Sequence, residues 1–165
     1  MQIKHPKLKI HDVFIARNIA GKVFIRIDEI VFHAFHRGQK AGVKLLLRQI
    51  NQARKLQIAY LEAETDGNPQ TFQRRNGFYV WVRFGFDALI SENKLAILPD
   101  NLKVIKEQKR VREVETLSDL MLIGGQRWWR ENGEECLTFF DLNDGSNSLK
   151  VLEKYVLELS EEGKL

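Results

Sequence analysis

The stretch His36-Arg37-Gly38-Gln39-Lys40-Ala41-Gly42-Val43-Lys44-Leu45-Leu46-Leu47 joins an apolar run to an amphipathic one, and its reading decides the fold. Before it, Val23-Phe24-Ile25-Arg26-Ile27 and Ile30-Val31-Phe32-His33-Ala34-Phe35 are β-branched and aromatic, the composition of a largely buried strand. After it, Val43, Leu46, Leu47, Ile50 and Ala53 recur at helical spacing, with Lys44, Arg48, Asn51, Gln52 and Lys55 between them. One face of that helix buries and the other is wet. The connecting loop carries two glycines at the positive end of a helix dipole, a place suited to phosphate or pyrophosphate. The same arrangement also serves as a plain strand-to-helix connection.

Downstream, Ile58-Ala59-Tyr60-Leu61-Glu62-Ala63 reads as a second strand. It leads through Asp66-Gly67-Asn68-Pro69 to Asn76-Gly77-Phe78-Tyr79-Val80-Trp81-Val82-Arg83-Phe84-Gly85-Phe86. A strand, a glycine loop, a long helix, a strand, an aromatic helix and Gly-Phe therefore stand in order, over about residues 22 to 87. This order resembles the GNAT-type N-acetyltransferase superfamily, which binds acetyl-CoA. In that family a Q/R-x-x-G-x-G/A loop holds the CoA pyrophosphate, and a later helix ends in a Tyr-x-x-x-Gly-Phe-like stretch. The resemblance implies that Arg37, Gly38, Gln39, Lys40, Ala41, Gly42 and Val43 bind the cofactor. Lys40 departs from the pattern by standing at the first loop glycine, and Trp81 stands where the family has its tyrosine, four residues before Gly85.

Candidate proton carriers come from the strands and the aromatic helix. If the second strand runs without a bulge, Val23, Ile25, Ile27, Glu29, Val31, His33 and Phe35 share one face and Glu29 stands in an apolar row. Burial there raises a carboxyl pKa, as a general base near neutrality requires. Asp28-Glu29 also reads as an exposed bend between two strands. The resemblance implies a base on this strand, directly or through water, that deprotonates the acceptor amine. Glu62 and Glu64 lie at the end of the following strand, where open α/β sheets place ligands, and are further candidate bases or simply exposed charges. Tyr79 is the nearby phenol able to act as general acid toward the leaving thiolate, or an ordinary half-buried tyrosine. The turn-rich segment from Thr65 to Arg75 reads as a lid or substrate loop.

The whole chain bounds these readings. At 165 residues, 44% hydrophobic and 29% charged, it suits one domain able to bury a core unaided. No run approaches the twenty apolar residues of a membrane span, and the N-terminus lacks the apolar segment of a signal peptide, so a cytoplasmic, non-membrane protein is expected. Cys136 is the single cysteine and lies in an alternating stretch, a small buried side chain rather than a nucleophile. His33 and His36 point to opposite faces of an extended strand, so no metal site is expected. A net charge of +4 suits CoA or nucleic acid equally.

Residues 1–99 read as a GNAT-like core with a truncated N-terminal half, and residues 100–165 as a helical and hairpin part packing on the same domain. Asp100-Asn101-Leu102 with Val104, Ile105 and Val111 suggests a helix whose wet face carries Lys103 to Arg112. Ser118 to Ile123 suggests a shorter helix before Gly124-Gly125. Arg127-Trp128-Trp129-Arg130 and Glu135 to Asp141 flank Asn132-Gly133, a strong hairpin signal. Ser148 reads as the cap of a final helix carrying Leu149, Leu152, Tyr155, Val156 and Leu159. The expected fold class is α/β (α+β): a mixed central sheet with flanking helices, acyl-CoA N-acyltransferase-like, ending in a hairpin and helix. The implied function is acetyl transfer from acetyl-CoA to a small-molecule or protein amine. The alternatives are a catalytically inactive GNAT-shaped binding or assembly module, and a nucleic-acid-associated protein stacking bases on Trp128 and Trp129.

Overall fold

The computed structural model describes residues 8–32, 41–107 and 110–163. Strands β1 (Leu8–Arg17) and β2 (Val23–Phe32) pair antiparallel as a hairpin. Its turn closes on Asn18, whose side chain accepts from the Lys22 N–H at 2.9 Å, while Gly21 adopts φ +77, a conformation that favours glycine. Val13 faces Ile27 but Asp12 faces Glu29, so Asp28 is the extra residue of a β-bulge. The unbroken alternation that would place Glu29 in the apolar row is therefore interrupted one residue before it.

Helix α1 (Ala41–Lys55) then buries Val43, Leu46, Ile50 and Ala53, the stripe expected from the sequence. Val43, Leu46 and Ile50, removed from water, each contribute about 1.5–3 kcal/mol. The chain leaves the helix through Gln57, at φ 53, and enters β3 (Tyr60–Glu64). Strand β3 lies parallel to β2, with Phe24 beside Tyr60 and Ile27 beside Ala63. A helical crossover of this length joins parallel neighbours, as anticipated. The last strand, β6 (Leu137–Asp141), adds antiparallel to β3 and completes a mixed sheet of order β1-β2-β3-β6.

The sheet has two unlike faces. Ile27, Leu61, Ala63 and Phe140 form one core with α1 and with Leu152 and Leu159 of α6 (Asn147–Glu161). Phe24, Arg26, Tyr60, Glu62 and Phe139 occupy the other face. A second core joins α2 (Gly77–Arg83), α4 (Leu117–Leu122) and α5 (Gln126–Asn132) through Phe78, Val82, Leu117, Leu120, Met121 and Trp129. Val151 of α6 belongs to this second core while its neighbour Leu152 belongs to the first, so one helix ties the cores together. Between the end of α2 and α6, Gly85 adopts φ +94, and a Cβ there would run into the Ser148 carbonyl.

Three local expectations are corrected. After the short helix α3 (Glu92–Ala96), the described residues 104–107 and 110–113 are strand and not helix: Asp100–Leu102 is a single 3-10 turn, and β4 (Val104–Glu107) and β5 (Arg110–Glu113) pair antiparallel. Ile105 is buried while Val104 and Lys106 on either side are exposed, a period of two that the charged residues disguised as a helical face. The Trp128-Trp129 stretch is not a hairpin strand but lies in α5, and Asn132-Gly133 ends that helix. The Gly133 N–H donates to the Trp129 carbonyl at 2.6 Å, and a Cβ at Gly133 would meet both that carbonyl and the Phe78 ring at under 3 Å. Burial of Trp129 against α2 overrides the turn propensity of Asn-Gly. Finally, Ser146 caps α6 by accepting from the Leu149 N–H, whereas the Ser148 hydroxyl accepts from the Asp141 N–H at 3.1 Å.

Candidate functional site

Two features define the site: the carboxyl end of β2 beyond its ladder with β3, and the start of α1, the next described element along the chain. The ladder between β2 and β3 stops at Ile27 beside Ala63, while β2 continues through residues 28–32 paired with β1. Strand β3 itself ends at Glu64, one residue further on, which leaves an opening along the β2 edge at residues 28–32, not bonded to β3. Helix α1 begins on the same connection, and its first turn carries no acidic residue. Its first amide N–H groups lack intrahelical acceptors, as in any helix. Val43 is buried in the core, so at this position only the backbone is available to a ligand, while Ala41 and Gly42 are the small residues that begin the turn. Arg37, Gly38, Gln39 and Lys40 lie outside the described residues, as does the side chain of Glu29.

Arg26 organises the charges beside this opening. Its guanidinium reaches Asp28 at 2.9 Å, Glu62 at 3.1 Å and Glu64 at 3.3 Å. The hydrogen bond to Asp28, then the charges of Asp28, Glu62 and Glu64, outweigh partial desolvation and push the Arg26 pKa up. Glu62 is only 7% exposed although it lies on the sheet face away from the core. Its carboxylate is partly covered and paired, whereas Glu64 is solvated.

Tyr79 is placed elsewhere. It sits on α2, its ring edge-to-face with Phe72 at 5.6 Å and its hydroxyl accepting from Arg83 at 3.5 Å. There it lines a cleft of about 1040 Å³ with Phe72, Arg83, Arg127, Arg130 and Glu158. The loop of residues 65–75, built on an Asn68-capped 3-10 turn at Pro69–Thr71, forms one wall of that cleft. Trp81 and Phe84 pack against the sheet's core face, opposite Glu62, so β3 stands between Glu62 and the helix that carries Tyr79. Trp81 packs on Phe86 at 4.9 Å and is a core residue. Trp129 is buried with its indole N–H donating to the Phe78 carbonyl at 2.8 Å, which removes it as a stacking surface for bases.

A further cleft, of about 720 Å³, has no counterpart in the sequence reading. It lies at the opposite end of β3 and is lined by Lys22, Tyr60, Asp87, Phe139, Asp141 and Asn147, among others. Burial raises the Asp87 carboxyl pKa, although it accepts from the Ser118 N–H at 2.8 Å. The only sequence signal was a lone acid directly after Gly85-Phe86, and its burial depends on α4, far along the chain. Burial likewise pushes the Cys136 thiol up, against the hydrogen bond from Thr65, which suits a packing role. Among the described residues no cluster of three or more His, Cys, Asp or Glu is arranged to hold a metal. None of the described helices is long and apolar enough to cross a membrane.

Fold and site together define an α+β protein with a mixed four-stranded sheet, a parallel crossover through α1 and a β2 edge that runs on past the end of β3. Comparison with protein-family models, with curated proteins and with solved structures finds no match to the chain.

Proposed function

We propose that the chain is an acyl-CoA-dependent N-acyltransferase that moves an acetyl group from acetyl-CoA to an amine. The observation that carries this reading is the β2 edge left unbonded to β3 beyond Ile27 and Ala63, on the strand that precedes the acid-free first turn of α1. A helix N-terminus favours an anionic pyrophosphate, and an unbonded strand edge offers backbone N–H groups to a thioester carbonyl. In the reaction the amine nitrogen attacks the thioester carbon, the C–S bond breaks, and CoA leaves as the thiolate. The proton lost by the amine passes to Glu62 or Glu29, directly or through water, and from there to solvent. Arg26 orients Glu62 within this arrangement. Tyr79 has no part in it, because β3 lies between α2 and Glu62.

Hydrogen exchange with and without acetyl-CoA tests the location. The expected result is slowed exchange in residues 28–32 and 41–44, with β4 and β5 unchanged. Protection confined to the cleft around Tyr79 and Arg130, or none anywhere, would reject this site. A second reading, a binding module without chemistry, draws on the pairing of both Glu62 and Glu64 with Arg26, which ties up the candidate bases whose side chains are described.

A further inference from the structure

The face of the sheet turned away from α1 presents an ordered grid. Across the strands, Ala16, Phe24, Tyr60 and Asp141 stand in one row, and Phe14, Arg26, Glu62 and Phe139 in the next. Beyond Arg26 and Glu62 along the strands come Asp28 and Glu64, with Leu137 beside Glu64. The aromatic rings form a continuous platform. Phe24 stacks on Tyr60 with centroids 4.9 Å apart and ring planes within 8°, and Tyr60 meets Phe139 edge-on at 5.7 Å. This platform is not sealed: Phe14, Leu137 and Phe139 are 47%, 43% and 40% exposed. The buried residues of both hydrophobic cores on the sheet strands, Ile27, Leu61, Ala63 and Phe140, all belong to the opposite face.

The charge on this face is opposite in sign to that of the whole chain. The molecule is formally +4, yet the platform and the adjoining cleft set Lys22 and Arg26 against Asp28, Glu62, Glu64, Asp87 and Asp141. Glu64 and Asp28, the most solvated of these carboxylates along the platform, are 70% and 43% exposed in their side chains. Aromatic faces attract guanidinium and ammonium groups and accept the apolar stems of arginine and lysine, while flanking carboxylates take the charge. A phosphate backbone would be repelled by the same surface.

We propose that the open sheet face is a docking surface for a basic polypeptide segment, one whose lysine or arginine side chains lie across Phe24, Tyr60 and Phe139 and end at Glu64 and Asp28. The aromatic platform gives the contact its grip, and the carboxylates give it its sign. This binding requires no acyl transfer, and oligolysine binding is read without acetyl-CoA, although Asp28 and Glu64 share Arg26 with Glu62 of the proposed reaction.

Fluorescence anisotropy with a labelled oligolysine peptide tests it, using a labelled oligoglutamate peptide as the comparison. The expected result is saturable oligolysine binding that weakens with salt, and no oligoglutamate binding. Glu64→Lys should weaken oligolysine binding roughly tenfold, as for one lost charge-assisted contact with a new repulsion. Glu153→Lys makes the same change in net charge on α6, where the residue is exposed on the other side of the sheet, and should leave binding within about twofold of wild type. Phe139→Ala changes no charge and should still weaken binding several-fold. Circular dichroism and melting of each variant confirm that it is folded. The proposal is overturned by absence of binding, by equal effects of Glu64→Lys and Glu153→Lys, or by an unaffected Phe139→Ala, which would reduce the attraction to diffuse charge. Sedimentation showing that the face closes against a second copy of the chain would overturn it as well.

Discussion

Phe139 and Phe140 are neighbours on β6, yet they belong to two different physical situations. Phe140 is fully buried against Phe86 at 5.4 Å in the core that α1 and α6 close, whereas Phe139 lies on the open face beside Glu62. The same chemical group thus serves stability on one face and remains available to a partner on the other. The contrast recurs on two further strands: Leu61 against Glu62 on β3, and Ile27 against Arg26 on β2. A half-buried sheet of this kind keeps its folding energy on one side and its recognition chemistry on the other.

Substitutions can break that contrast in graded fashion. Phe140→Ala should be the most damaging, removing about 3–5 kcal/mol from the unfolding free energy in a denaturant titration, because the ring leaves a cavity in a close-packed core. Gly85→Ala should follow, at roughly 2 kcal/mol or more, since it combines a positive φ with a collision against Ser148. Phe139→Ala should cost only about 1 kcal/mol, the worth of an aromatic pair on a surface already partly wet. If Phe139→Ala proved as destabilising as Phe140→Ala, the open face would be part of the core and the division of labour between the faces would fail.

Two aspartates at the start of α4 sharpen the comparison through pH. Burial raises the Asp119 pKa, but the paired hydrogen bonds from Arg112 at 2.7 and 2.6 Å, with those from the Glu115 and Thr116 N–H groups, more than offset it and hold the folded value below the ordinary one. A depressed folded pKa gives stability that is present above the unfolded value, about 3.9, and is lost as pH falls through the folded pKa. Asp87 runs the other way. Its folded pKa is raised by burial, so its proton is held more tightly when folded, and stability increases as pH falls from the folded value toward the unfolded one. Melting across the acid range should therefore show Asp119→Asn with a shallower acid loss than wild type. Asp87→Asn should show a steeper loss, having lost the gain that offsets it. Both effects should be smaller than those of the core substitutions, since Arg112 is partly solvated.

The sequence made the first half of the fold legible because its signals are local. The β-branched run from Val23 to Ile27, the α1 stripe from Val43 to Ala53 and the β3 run each carry a local pattern and need no distant partner to be read. The second half depends on contacts between remote residues. Trp129 becomes helical because its indole finds the Phe78 carbonyl, and Ile105 becomes a strand residue because only alternation buries it among charged neighbours. The candidate site divides in the same way. The bulge falls at Asp28, within the Asp28-Glu29 pair that also reads as a bend, whereas the packing of Trp81 and Phe84 of the α2 segment on the core face, away from Glu62, depends on long-range contacts. The Arg26–Glu62 pair joins two strands through the register of a parallel ladder, which no spacing along the chain reveals.

The central proposal is that the β2 edge beyond β3, with the start of α1, takes acetyl-CoA and that Glu62 accepts a proton there. Isothermal titration of acetyl-CoA into wild type and into Glu62→Gln, with thiol release in the presence of amines measured on the same samples, tests both parts. The account predicts saturable binding of one acetyl-CoA per chain by both proteins, with turnover lowered about 10²- to 10⁴-fold in Glu62→Gln, the range of a lost general base. Failure of both proteins to bind acetyl-CoA at millimolar ligand would contradict the account.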